Sequence, residues 1–225
     1  MQARLGFDPR LAALLDRLHA ESEAQGGELA SYFGRRAQAG DLDWNAFDDD
    51  ANRFLADKLV ALDRDKAELC HQLCRALRAR RVVEAGTSFG VSTLYLADAV
   101  RRNGGGVVIG TEYEPTKARA ARAIFAEAGL EGLIDLREGD LRETLRDVGG
   151  PVDFMLVDIW TPLARPALER VAPHLRPGAI VVCDNTTQLR DAYRDYLAFL
   201  EDPANGFSTL TLPFPGGFEL SVRLD

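Results

Sequence analysis

Lysine is scarce in this sequence, which has three lysines, Lys58, Lys66 and Lys117, among its 27 basic residues. The arginines are scattered among acidic residues, no basic run occurs, and the formal net charge is -8. Nucleic-acid backbones are recognised by clustered positive charge, so nucleic acid is not an expected partner. The shortage of lysine also restricts which side chains could act as a general base.

Cysteine and long apolar runs are scarce as well. The three cysteines, Cys70, Cys74 and Cys183, cannot form a full disulfide framework and are expected to be reduced thiols in the core. No apolar run approaches the roughly 20 residues needed to cross a bilayer, and no signal peptide is recognised at the N-terminus. The sequence therefore predicts a cytoplasmic protein that does not contact membranes.

The pattern of apolar residues divides the chain into two parts. Residues 8–80 repeat apolar residues at intervals of three and four, as in "LAALLDRLHAESEA", "FLADKLVAL" and "AELCHQLCRALRA", which predicts helices. The acidic segment "AGDLDWNAFDDDANR" between the first two is interpreted as a solvated loop. We expect a helical N-terminal extension over residues 1–57, followed by a second domain over residues 58–225.

From residue 81 onward, apolar strands alternate with helical segments, the arrangement of a parallel sheet covered by helices on both faces. The last two of the seven strands, "FSTLTLP" and "FELSVRL", have no helix between them and should therefore pair as an antiparallel edge. The predicted fold class is α/β, with a doubly wound, mostly parallel, seven-stranded sheet and an antiparallel edge strand. Ligands of such sheets bind at the carboxyl ends of the strands.

The first strand leads into a glycine-containing loop, "VVEAGTSFGVST". Gly86 and Gly90 permit a tight turn and close approach to a ligand, but their G-x-x-x-G spacing differs from that of dinucleotide-binding loops. Glu84 would suit a cationic ligand, and Glu112, after the second strand, is placed to hold ribose hydroxyls. Together they suggest a ribose-bearing cofactor with a positive centre and no phosphate, a description that S-adenosylmethionine fits.

Each of these residues also has a purely structural interpretation. Glu84 could be satisfied by backbone amides, while Ser88 and Ser92 could cap a helix. Asp140, after the third strand, could contact an adenine edge or act as a helix N-cap. The aromatic residues Trp44, Phe47, Trp160 and Phe214 are candidates either for contacts with an acceptor or for the core.

Two further apolar segments end in acids, although charge at the edge of a core is costly unless it is paired. The segment "FMLVDIW" contains Asp158 and Trp160, and "AIVVCDN" ends in Asp184 and Asn185. These acids could bind a ligand at the edge of the sheet or could merely cap the helices that follow.

Five ordered segments, "VVEAGTSFGVSTLYLA", "GTEYEPTKARAAR", "EGDLRETL", "VDFMLVDIW" and "VVCDNT", resemble the class I S-adenosylmethionine-dependent methyltransferases. Within them, the sequence looks like the catechol O-methyltransferase-like group (O-methyltransferase family 3), over roughly residues 58–225. The resemblance implies a Rossmann-like methyltransferase fold. It also implies that the N-terminal helices cover the substrate mouth and help to form a homodimer.

The resemblance implies site residues as well. It places Glu112 on the ribose, Tyr113 near the adenine, and Trp160 beside the cleft between cofactor and substrate. It implies a divalent cation, such as Mg²⁺, held by Asp158, Asp184 and Asn185, whose oxygen ligands suit that ion. The implied cofactor contacts are Glu84, Gly86, Ser88, Ser92, Glu112, Tyr113, Asp140 and Asp158.

The sequence departs from the family pattern after the tryptophan. Members of the family usually carry a lysine there as general base, whereas this chain has Thr161 followed by Pro162. A threonine hydroxyl cannot serve as a base at neutral pH, and none of the three lysines lies nearby in sequence. Either the metal ion alone activates the acceptor, or another group substitutes, or the chemistry differs. If the first holds, Thr161→Lys should raise the rate. Asp158, Trp160 and Thr161 are the candidate catalytic positions.

The favoured hypothesis is a metal-dependent O-methyltransferase acting on a small vicinal dihydroxy aromatic or a specialised metabolite. The alternatives are an N-methyltransferase or metal-independent methyltransferase of the same fold, and a non-catalytic cofactor-binding partner protein. A homodimer is expected because Leu11, Leu14, Leu15 and Leu18 form an apolar stripe beyond what one sheet face requires.

Overall fold

A seven-stranded sheet forms the centre of the computed structural model, which describes residues 5–46 and 48–225. The strand order is β3-β2-β1-β4-β5-β7-β6. Strands β1 to β5 are parallel, and β7 pairs antiparallel with both β5 and β6. The strands are β1 (Arg81–Ala85), β2 (Val107–Glu112), β3 (Ile134–Glu138), β4 (Val152–Val157), β5 (Leu175–Asp184), β6 (Phe207–Leu212) and β7 (Phe218–Arg223).

This topology confirms the predicted fold class. The antiparallel strand, β7, lies one position inside the sheet, so that β6 forms the edge. The strand order reverses between β1 and β4, and in doubly wound sheets a crevice opens at the carboxyl ends of the strands at such a point. The sheet therefore places the ends of β1 and β4 at its expected ligand site.

Helices cover both faces of the sheet. One buried cluster includes Leu94 and Tyr95, and the other includes Leu168 and Tyr196. Apolar residues on both faces bury β1 and β4 almost completely. The helices are α1 (Pro9–Ala39), α2 (Asp49–Leu55), α3 (Arg64–Ala76), α4 (Val91–Arg102), α5 (Pro115–Ala128), α6 (Leu141–Thr144), α7 (Thr161–Val171) and α8 (Arg194–Glu201).

The first half of α1 belongs to the core of its own chain. Leu11, Leu14, Leu15 and Leu18 are each 3% exposed or less and share a buried cluster with Tyr95 of α4. One chain therefore buries the stripe that was expected to exceed what one sheet face requires, so the stripe does not by itself call for a second copy. Helix α1 packs on the helical layer that covers the sheet, and sequence periodicity does not reveal that layer.

Two other predictions for the N-terminal part need correction. The predicted helix in "FLADKLVAL" ends at Leu55, because the following segment runs without helix along α1. There the amides of Leu59 and Ala61 donate to the side chains of Gln25 and Ser22, which replace the hydrogen bonds of a helix. The acidic segment is only partly a loop, since the Asp48 carboxylate caps α2 by accepting from the Ala51 amide at 2.8 Å.

None of the helices in the described part of the chain combines the length and apolar character of a membrane-spanning segment. Cys70, Cys74 and Cys183 are buried free thiols, as predicted. The division of the chain at residue 57 stays a prediction.

Candidate active site

A cavity of about 820 Å³ lies at the carboxyl edge of the sheet. Its far wall comes from the N-terminal segments, including Phe33 of α1 and Trp44 of the following loop. Among the predicted site residues, Glu84 and Asp184 lie behind the lining. The others line the cavity: Gly86, Ser88, Ser92, Glu112, Tyr113, Asp140, Asp158, Trp160, Thr161 and Asn185.

Glu84 is a fully buried carboxylate that organises the glycine loop. Its oxygens accept hydrogen bonds from the hydroxyls of Thr87 at 2.9 Å, Ser92 at 2.7 Å and Thr93. Burial raises the pKa of Glu84, and the three hydroxyls oppose that rise. Hydroxyls, rather than the backbone amides considered from sequence, satisfy this acid. They tie the end of β1 to the first turns of α4.

Gly86 and Ser88 determine how the loop meets its neighbours. A Cβ atom at Gly86, which has a φ of +96°, would lie 2.0 Å from the Asp158 carbonyl oxygen, so a side chain here would separate the ends of β1 and β4. Ser88 has a φ of +50° and a buried hydroxyl oxygen without a hydrogen-bond partner. Neither Ser88 nor Ser92 caps α4, whose N-cap is Gly90. Ser88 lines the cavity, so a ligand that reached its hydroxyl could satisfy it.

The Glu112 carboxylate is held by two backbone amides. Ser88 N donates to Oε2 at 2.7 Å, and Glu114 N donates to Oε1 at 2.8 Å. A carboxylate oxygen can accept more than one hydrogen bond, so both oxygens of Glu112 can still accept from a ligand in the cavity. The position predicted for ribose recognition thus presents an oriented acceptor pair.

Asp140 and Tyr113 lie at the rim of the cavity. Asp140 caps α6 by accepting from the Arg142 amide at 2.9 Å, which confirms the N-cap alternative. The Arg142 guanidinium also binds this carboxylate, and together these contacts lower the pKa of Asp140. Tyr113 is 61% exposed. Contact of either residue with an adenine stays a prediction.

Asp158 and Asp184 lie close enough to affect each other electrostatically. Burial raises the pKa of Asp158 to about 8, and the negative charges of Asp184 and Glu84 contribute to the rise. Burial also raises the pKa of Asp184, although hydrogen bonds and the charge of Lys66 oppose it. The positive charge of Lys66 therefore does not offset the burial and mutual repulsion of these two carboxylates, and a bound cation would favour their charged forms.

Lys66 is the site residue that sequence reasoning missed. The residue is 1% exposed. Its ammonium nitrogen lies 2.7 Å from Asp184 Oδ1 and 3.0 Å from Asp63 Oδ2. Burial acts against the charged form, but the two carboxylates outweigh it and raise the pKa of Lys66. One signal was available in the sequence, because Lys66 precedes Cys70 and Cys74 by four and eight residues and so lies on the buried face of α3.

Asn185 continues the acidic site beyond β5. Its backbone, at a φ of +61°, allows the Asn185 amide to donate to Asp184 Oδ1 at 2.8 Å and places the side-chain nitrogen 3.3 Å from Asp184 Oδ2. In the described part of the chain, no three histidine, cysteine or acidic side chains are grouped for a metal ion. The predicted ligand set differs in kind, because it combines two carboxylates with one amide. Such an oxygen-rich set fits a hard divalent cation.

Thr161 is the first residue of α7 and is 5% exposed. Its hydroxyl donates to the backbone carbonyl of Trp44. The Trp44 ring lies 6.1 Å from the Trp160 ring and 5.5 Å from the Phe33 ring, and all three residues line the cavity. Phe214, in contrast, packs on Phe218 in a buried cluster. The remaining aromatic candidate, Phe47, lies outside the described residues.

Comparison with known proteins shows similarity to methyltransferases. The family model described as a methyltransferase domain matches residues 83–186. The chain is 32% identical to a catechol O-methyltransferase of Mycobacterium tuberculosis over 127 residues, which cover 56% of this chain and 57% of that protein. A Mycolicibacterium smegmatis protein named as an O-methyltransferase is 33% identical over 143 residues, which cover 56% of this chain and 67% of that protein.

A solved structure is similar over a larger part of the chain. The O-methyltransferase TomG of Streptomyces achromogenes, in complex with S-adenosylmethionine, is 26% identical with a TM-score of 0.64. The match covers 78% of this chain and 86% of TomG. The chain spans little more than half the length of the first curated relatives that it matches.

Proposed function

Because the chain belongs to the class I S-adenosylmethionine-dependent O-methyltransferases of the catechol O-methyltransferase-like group, we propose that it transfers the methyl group of S-adenosylmethionine to a hydroxyl of a small aromatic acceptor. The observation that carries this proposal is the convergence, at one cavity, of an oriented carboxylate, Glu112, and of Asp158, which has the buried Asp184 behind it. The first suits a ribose and the second suits positive charge.

We propose that the cofactor lies along the ends of β1 and β2. Glu112 accepts hydrogen bonds from the two ribose hydroxyls, and the unpaired Ser88 hydroxyl forms a hydrogen bond with the cofactor. Tyr113 and Asp140, at the rim, lie beside the adenine. Glu84 and Ser92 act from behind by fixing the loop, while Asp158 lines the cavity, where a bound sulfonium would favour the charged form of its carboxylate. These roles are supported by the one cavity that Ser88, Glu112 and Asp158 line together.

We propose that Asp158, Asp184 and Asn185 hold Mg²⁺ or another divalent cation. Bound there, the ion would lower the pKa of an acceptor hydroxyl. Lys66 holds Asp184 in place through one carboxylate oxygen, Oδ1, and the other oxygen, Oδ2, is left beside the Asn185 amide. A vicinal dihydroxy aromatic suits this site, because two adjacent hydroxyls offer a pair of oxygens to a metal ion.

Methyl transfer itself needs positioning more than covalent help. The acceptor oxygen attacks the methyl carbon in line, the new O–C bond forms as the C–S bond breaks, and the electron pair stays on sulfur. The hydroxyl proton is released. Lys66 is not suited to take that proton, because its pKa is raised, and the Thr161 hydroxyl is committed to Trp44. The enzyme should therefore favour acceptors whose hydroxyl is already acidic.

Two variants test the two halves of the proposed site. Glu112→Ala should weaken S-adenosylmethionine binding by about 1.5–3 kcal/mol, the range for hydrogen bonds to a charged group. Asp184→Asn keeps the shape of the side chain but removes its charge, so it should abolish metal-stimulated turnover and leave cofactor affinity nearly unchanged. Calorimetry measures cofactor binding, and radiolabelled methyl transfer to a panel of catechols, with and without a chelator, measures turnover.

Glu127→Ala is the control, because this glutamate is exposed and pairs with Arg17 away from the cavity lining. It should change neither quantity. Unchanged cofactor affinity in Glu112→Ala would remove this residue from the cofactor site. Native turnover that is equally fast with the metal ion chelated would contradict the proposed metal site and favour a metal-independent methyltransferase.

A further inference from the structure

The loop that follows α1 reaches across to the helical start of α7. We define the cover loop as residues 40–46. Its first end is fixed to α1, because Arg36 donates to the Asp41 carbonyl at 2.6 Å, and the same arginine pairs at 2.6 Å with Asp48, which caps α2 beyond the loop. Within the loop, Asp43 accepts from the backbone and side chain of Asn45. The cover loop therefore has a shape of its own that these local contacts maintain.

The Thr161 hydroxyl connects the middle of this loop to the part of the chain that carries the sheet. It donates to the Trp44 carbonyl across 117 positions of sequence. Pro162 follows within the first turn of α7, where its missing N–H costs no helical hydrogen bond. The helix thus begins rigidly at the residue that holds the loop.

The contact brings an aromatic side chain to the cavity. The Trp44 ring stacks on Phe33 at 5.5 Å and lies 6.1 Å from Trp160, which immediately precedes Thr161. Thr161 and Trp160 are neighbours at the start of α7, so one short segment positions the loop and supplies the opposite ring. A change in the hydroxyl contact should therefore alter the spacing of the two tryptophans.

We propose that Thr161 is a positioning residue that holds the cover loop so that Trp44 and Trp160 together form an aromatic wall against the methyl acceptor. The proposal rests on the function proposed above, because it concerns the acceptor of that reaction. In this proposal, position 161, where the family usually has a lysine, holds a loop in place instead of transferring a proton. Aromatic rings facing the cavity favour a flat aromatic acceptor.

Thr161→Val tests the proposal, since valine has nearly the same shape and lacks the hydroxyl, and Thr161→Ser is the matched control that keeps it. The chain has two tryptophans, so tryptophan emission and near-ultraviolet circular dichroism report directly on Trp44 and Trp160. In Thr161→Val, we expect altered tryptophan spectra, faster chymotrypsin cleavage after Trp44, and a KM for the acceptor raised roughly 2- to 10-fold, the equivalent of one neutral hydrogen bond. Affinity for S-adenosylmethionine should change less than about 2-fold. Thr161→Ser should behave as the native protein does.

A second variant, Trp44→Leu, removes the ring while leaving the backbone carbonyl that Thr161 binds. It should raise the acceptor KM with little change in kcat. Native spectra, cleavage and acceptor KM in Thr161→Val would overturn the proposal, as would an equal loss of cofactor affinity, which would place Thr161 in the cofactor site. If the spectra and cleavage change as expected but the native protein methylates no acceptor, the role of Thr161 in holding the loop stands and the proposed function fails.

Discussion

Single charged residues decide what the site can do. The ammonium of Lys66 approaches Asp184 from within the protein, so this lysine orients a carboxylate and is held in its charged form. Thr161 is nearly buried and its hydroxyl is already used by Trp44. A lysine at position 161 would lose that contact, although the position itself lines the cavity. The expectation that Thr161→Lys raises the rate stays a prediction, and the loss of the contact with Trp44 acts against it.

A buried histidine, His19, should make the free energy of unfolding depend on pH. His19 is 5% exposed, its Nε2 lies 3.0 Å from the Tyr95 hydroxyl, and burial, helped by Arg64, lowers its pKa to about 4. Between that pKa and the usual value of about 6.5, the unfolded chain binds a proton at His19 that the folded chain does not. The folded state is therefore fully stable with respect to this group above about pH 6.5 and loses stability as the pH falls towards 4. Urea unfolding should show that the free energy of unfolding falls by roughly 2 kcal/mol between pH 7 and pH 5 because of this histidine. His19→Gln should flatten the slope by that amount, and an unchanged slope would contradict the assignment.

At the scale of elements, helix α1 serves two parts of the molecule. It begins at the Asp8 cap and ends at Gly40, which adopts a left-handed conformation with a φ of +75°. Its first half supplies the buried leucines, whereas its second half has no buried residue and places Leu29 and Phe33 at the cavity. Core packing of the first half therefore holds the cavity wall formed by the second.

A core substitution measures that packing. Leu15 is 1% exposed, and Leu15→Ala should lower the free energy of unfolding by about 2–5 kcal/mol, because the removed methyl groups leave a cavity. Glu21→Ala, at an exposed position of the same helix, should change it by less than about 0.5 kcal/mol. Urea denaturation of both variants provides the comparison. Equal effects would mean that α1 does not pack as described.

At the scale of the whole molecule, the homodimer stays a prediction. The leucine stripe no longer supports it, because one chain buries those side chains. The second half of α1, residues 20–39, has no buried residue, and its exposed positions leave a surface to which a second copy could bind. Sedimentation equilibrium should give a particle mass of twice the 24.7 kDa of one chain. A mass of one chain over the micromolar range would exclude the dimer.

Local sequence patterns were sufficient to predict the sheet and the edge at which the site lies. Alternation of apolar strands with helices is a local pattern, and parallel strands bring their carboxyl ends together, so Glu112, Asp158 and Asn185 could be assigned to one place before the structure was known. The local pattern predicted a helix wrongly after Leu55. There the backbone amides of Leu59 and Ala61 donate to side chains of α1 instead of to helical carbonyls.

Which distant residues complete the site depends on contacts between segments that are far apart in the chain. Lys66 meets Asp184 across 118 positions, and Thr161 meets Trp44 across 117. Neither pair has a sequence signature, because each depends on how an N-terminal segment returns over the edge of the sheet. The periodicity of a segment specifies which of its faces is buried, but the partner of that face is set by the packing of the whole chain. For the same reason, the leucines of α1 could be recognised as apolar from the sequence, whereas their burial within one chain could not.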